Sequence, residues 1–97
     1  MSVDLRGVFV PCTSPFEATT GELDVVGLGI NLDSYLSHPI RGIVVGGSTG
    51  EAILLDEAER MEMLKQTRQK LKPEHLLIAG TGAESTRMTI HRSSDAA

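Results

Sequence analysis

Gly46-Gly47-Ser48-Thr49-Gly50-Glu51 sets two hydroxyls among glycines directly after the apolar run Gly42-Ile43-Val44-Val45. Backbone N–H groups at the end of a strand, with hydroxyls beside them, suit a carboxylate or a phosphate. Two phosphate fingerprints are incomplete. No Gly-Lys-Ser/Thr follows the loop, and Gly80-Thr81-Gly82-Ala83-Glu84-Ser85 lacks the third glycine of a dinucleotide site. On chemistry alone the loop is either a cradle for a small carboxylate or a tight turn with helper hydroxyls. Glu51 reads as a group that fixes the loop rather than as an acid or base.

The other reactive side chains lack company. Cys12 stands in an apolar run and reads as a buried structural thiol. His38, His75 and His91 have no motif around them. Lys65, Lys70 and Lys72 fall on a charged helical segment or just past its end, and Tyr35 falls on the core face of another helix.

The elements that must position the loop follow from periodicity. Strands are expected near 7–10, 42–45 and 75–79, each a short apolar run closed by Gly, Pro, Ser or Thr. Helices are expected near 23–37, 57–71 and 86–97. In the first, Val25, Leu28, Leu32, Tyr35 and Leu36 recur at helical spacing, while Gly27 and Gly29 each weaken it by about 1 kcal/mol relative to alanine. In the second, Asp56 and Glu59 form a capping box, and Met61, Leu64 and Leu71 make the apolar face. In the third, Arg92 stands where an apolar residue would serve better.

Apolar strands alternating with amphipathic helices define an α/β class, a parallel sheet covered by helices. The repeat of roughly 35 residues matches one-eighth of a (β/α)8 barrel of about 250 residues. Residues 1–97 therefore read as three βα units, one partial domain. Three units cannot close a barrel, so the chain reads as the truncated first third of something larger, marginally stable, molten or aggregated by itself.

Composition excludes other classes. A net charge of -4 offers no basic stripe for nucleic acid. No apolar run approaches the roughly 18 residues of a membrane span, and the N-terminus lacks signal-peptide features. A single cysteine permits no intrachain disulfide, so a reducing, cytoplasmic setting is expected.

Residue by residue, the glycine loop acquires a likeness. Gly42 to Ala52, followed by Glu59-Arg60 after an Ile-Leu-Leu-Asp-Glu-Ala spacer, resembles the signature of the dihydrodipicolinate synthase and N-acetylneuraminate lyase superfamily. Thr13-Ser14-Pro15-Phe16 resembles that family's loop after strand one, and Ile78 to Gly82 with Ser85-Thr86 its loop after strand three. His38 to Gly42 and Ala79 to Thr86 are most similar to the 4-hydroxy-2-oxoglutarate aldolase-like branch.

The resemblance implies a (β/α)8 barrel, a homotetramer or homodimer when full-length, acting on pyruvate or another small 2-oxo acid. It implies a lyase that forms a Schiff base with a lysine and makes or breaks a carbon–carbon bond. No metal or organic cofactor is implied, because the iminium is the electron sink. By position, Thr49 would hold the substrate carboxylate through its hydroxyl and N–H, and Ser48 would pass protons towards a catalytic tyrosine. The family's usual residue at 48 is threonine. Gly47 and Gly50 would let the backbone approach the ligand. The family's catalytic lysine and tyrosine lie on later strands, so no catalytic residue is expected in this chain. Two expectations follow: the N-terminal part of a 2-oxo acid aldolase, or an inactive chain acting at most as a binding fragment.

Overall fold

The β-branched runs pair as a parallel sheet in a computed structural model that describes residues 2–97. The elements are β1 (Phe9–Pro11), α1 (Val25–Leu36), β2 (Gly42–Val45), a 3-10 turn (Ala52–Leu54), α2 (Glu57–Lys70), β3 (Leu76–Ala79) and α3 (Thr86–Ala96). The strand order is β1-β2-β3, with Val10 opposite Ile43 and Ile43 opposite Leu77. Pro11 pairs opposite Val44 and extends β1 past Val10; β1 is an edge of the sheet, where a missing N–H is tolerated.

Strand alternation sorts the side chains onto two faces. Ile43 and Val45 join Leu28, Leu32, Met63 and Leu71 in the buried cluster between sheet and helices, with Val10 and Leu77 packed against it. Phe9, Pro11, Val44, Leu76 and Ile78 fall on the opposite face, where Ile78 stays exposed.

Helix starts follow local chemistry. Asp24 caps α1 by accepting from the Gly27 N–H at 2.9 Å. A Cβ at Gly27 would lie 2.6 Å from the Asp24 carboxylate, so the glycine that weakens the helix makes room for its cap. At α2, Asp56 accepts from the Glu59 N–H at 2.8 Å, while Glu59 accepts from the Asp56 N–H at 3.0 Å. The second Glu59 oxygen accepts from Leu23 N–H at 2.8 Å, tying the approach to α1 onto α2.

The core stripe of α2 is only partly the expected one: Leu71, at the helix end, is buried as expected. Arg60, Met63 and Thr67 are buried, whereas Met61 and Leu64 are half-buried. Two of the three buried positions are polar, so hydrophobicity alone selects the neighbouring stripe. Arg41, at the start of β2, donates to the Glu74 carbonyl at 2.8 Å and to the Asp4 carbonyl at 3.0 Å. It joins the segments that lead into both edge strands.

Candidate functional site

Where β2 ends, Gly46 takes φ +76, a turn that favours glycine, and the chain enters Gly47 to Glu51. Glu51 also sits in the left-handed region, at φ 50, and its N–H donates to the Ser48 carbonyl at 3.0 Å. Ala52 N–H donates to the Gly47 carbonyl at 3.4 Å. Gly50 is buried against β1's exit: a Cβ there would lie 2.8 Å from the Cys12 carbonyl oxygen. Its carbonyl accepts from Ser14 Oγ at 2.5 Å.

The loop thus projects Ser48 and Thr49 at the C-terminal end of the sheet. Both are exposed, and neither hydroxyl nor the Thr49 N–H has a partner among the described residues. Thr13 lies on the neighbouring loop, its hydroxyl 3.3 Å from that of Tyr35. Tyr35 is half-buried against the core, its ring packed and its hydroxyl turned to Thr13.

A cleft of about 740 Å3 opens beside the loop, lined in part by Ile53, Arg60, Ser85, Met88 and Arg92. Ser48 and Thr49 do not line it. Lys65 and Lys70 are exposed along α2 and Lys72 just beyond it. Because α2 runs back along the strands, Lys70 and Lys72 sit at the end opposite the loop. Lys70 pairs with Asp33 at 2.8 Å. Cys12 is fully buried, its sulfur 3.2 Å from the Thr13 carbonyl, and burial pushes its thiol up to about 11.

Arg60 had no assigned role in the sequence reading. Its side chain is 8% exposed and donates to the Ala52 carbonyl at 3.2 Å and the Gly80 carbonyl at 3.0 Å. Burial, with the nearby Arg92, lowers its pKa from the usual arginine value, and Glu57 opposes that shift. Arg92 donates to the Gly82 carbonyl at 2.7 Å and pairs with Glu57 at 2.6 Å. The available signal was a charged residue in line with Met63 and Thr67 at helical spacing. Arg92 is thus no misfit on an apolar face; it closes the same corner.

The sequence profile described as the Dihydrodipicolinate synthetase family matches residues 4–97. The chain belongs to this family. A 4-hydroxy-tetrahydrodipicolinate synthase of Bdellovibrio bacteriovorus is 33% identical over 90 residues, 93% of this chain and 30% of that protein. A protein of Emericella nidulans, named as a probable mitochondrial 4-hydroxy-2-oxoglutarate aldolase, is 40% identical over 95 residues, 94% of this chain and 30% of the relative. The crystal structure of a dihydrodipicolinate synthase family protein from Coccidioides immitis superposes with a TM-score of 0.87 at 29% identity, covering 93% of this chain and 30% of that one.

The chain therefore spans about 30% of the length of the relatives it matches. Its three βα units correspond to the N-terminal portion of the family's (β/α)8 barrel. Among the described residues no helix is long and apolar enough to cross a membrane.

Proposed function

We propose that this chain supplies the carboxylate-holding loop of a Schiff-base-forming 2-oxo acid aldolase or lyase. The observation that carries the proposal is the pair of unpartnered hydroxyls, Ser48 and Thr49, presented among glycines at the C-terminal end of β2. That end of a barrel is where such folds place their chemistry. Thr49 offers its hydroxyl and N–H to the carboxylate of pyruvate or a similar 2-oxo acid, and Ser48 offers a hydroxyl for proton transfer. Gly47 and Gly50 keep the backbone close to the ligand.

The covalent step belongs to residues outside these 97. A Schiff-base lysine needs burial or a neighbouring cation to hold it neutral. Lys65, Lys70 and Lys72 are exposed, and Lys70 faces a carboxylate instead. The complete enzyme is proposed to be a cytoplasmic homotetramer or homodimer, free of metal and organic cofactor.

Thr49→Val, which keeps the shape and removes the hydroxyl, tests the loop in the protein that carries this chain. Pyruvate affinity is expected to fall about ten- to hundredfold, the weight of one hydrogen bond to a charged group. Unchanged affinity would remove Thr49 from the site. Borohydride reduction with pyruvate, followed by mass mapping, tests the division of labour: an adduct on Lys65, Lys70 or Lys72 would refute it.

The second reading, a chain that only binds other segments, draws on the apolar sheet face carrying Phe9, Val44, Leu76 and Ile78. Sequencing the transcript past the Ala97 codon separates the two. A continuing frame with a strand-borne lysine and tyrosine supports the enzyme, and an immediate stop supports the binder.

A further inference from the structure

The first turn of α2 is an unfavourable place for a cation, because the helix N-terminus is already positive. Asp56, Glu57 and Glu59 are there as expected, yet Arg60 is there too, and it is buried. Helix stability does not account for it. Its two partners do: Ala52 O closes the hydroxyl loop, and Gly80 O ends β3.

The other end of the loop is reached indirectly. Gly80 packs backbone-to-backbone on Gly46, so closely that a Cβ at Gly80 would collide with the Gly46 carbonyl oxygen. Gly80 N–H also donates to the Val45 carbonyl at 2.7 Å. One guanidinium therefore pins Ala52 directly and Gly46 through Gly80, the two ends of the segment that presents Ser48 and Thr49. Arg92 secures the same corner from α3 through Gly82 O and Glu57.

We infer that Arg60 is a positioning residue: it fixes the spacing of the hydroxyl loop by tying the exits of β2 and β3 together. This rests on reading the loop as the carboxylate site. A planar fork can serve two carbonyls at once, and a lysine ammonium on a flexible stem cannot hold both in the same geometry. Holding the loop in its bound shape lowers the ordering cost of binding.

The test is hydrogen exchange, followed by mass spectrometry, on the protein carrying this chain, with Arg60→Met and Arg60→Lys. The Glu51, Ala52 and Leu54 amides, all donors in local bonds, report the loop. In Arg60→Met their exchange is expected to quicken about ten- to hundredfold, the range for a lost charge-assisted hydrogen bond, with α1 amides unchanged. Arg60→Lys should fall between. Acceleration spread evenly over α1 and the loop would show a general scaffold residue and overturn the inference. So would a wild-type loop with no protection, or a lysine variant equal to wild type. Pyruvate affinity, measured in parallel, should weaken with the loop exchange. If the wild type binds no pyruvate, the carboxylate reading fails, while the exchange data still decide what Arg60 does.

Discussion

Ser14→Ala removes one buried oxygen and leaves another without a partner. Ser14 is 7% exposed, and its hydroxyl donates to the Gly50 carbonyl at 2.5 Å, with the Met63 sulfur at 3.2 Å. Among the described residues nothing else donates to that carbonyl. Gly50 is itself buried, so water does not simply take the serine's place. The cost is then that of an unsatisfied buried acceptor, about 1–3 kcal/mol. Ser37→Ala provides the control: its hydroxyl also donates to a backbone carbonyl, that of Ser34 at 2.6 Å, but at an exposed site. That change should stay within about 0.5 kcal/mol. Urea unfolding of the protein that carries this chain, followed by far-UV circular dichroism, would measure both, the midpoint falling at constant slope. A Ser14→Ala chain no less stable than Ser37→Ala would refute the reasoning, because the Gly50 carbonyl would then have found another donor.

Two further outcomes follow from buried groups. Thr67 is fully buried and its hydroxyl has no partner among the described residues, so Thr67→Val should raise stability by about 1 kcal/mol, read as a higher urea midpoint. Cys12 should resist alkylation at pH 8 in the native chain and react on unfolding. Its thiol is raised from 9.0 to about 11 by burial, so the unfolded chain gives up its proton first. The Cys12 contribution to stability is expected to be whole below pH 9 and to fall by about 1.4 kcal/mol per pH unit as the pH climbs towards 11, read as a falling urea midpoint that a Cys12→Ala chain does not share.

What could be read from the sequence was local. The β-branched run Gly42–Val45 and the glycines behind it specify a strand and a turn within ten residues, and Asp56 with Glu59 specifies a cap within four. The longest part of the family signature lay in that same contiguous stretch. What could not be read acts across distance. Ser14 reaches Gly50, Arg60 reaches Gly80, and Glu59 reaches back to Leu23, none of them neighbours in the chain. Gly27 looked like a flaw in α1 because its role depends on where the Asp24 carboxylate turns. The stripe of α2 was legible only at Leu71, because Arg60 and Thr67 carry polar atoms into the core, which a count of apolar residues passes over. Ser48 and Thr49 were visible as residues; their freedom from internal partners was not.

Arg41, Arg60 and Arg92 bind five backbone carbonyls between them, those of Glu74, Asp4, Ala52, Gly80 and Gly82. A carbonyl is present whatever residue occupies the position, and it does not titrate. The frame around the strand ends therefore asks for arginines on its own side and for nothing in particular from the side chains at Asp4, Ala52 or Glu74. Mild acid that discharges carboxylates leaves these tethers intact.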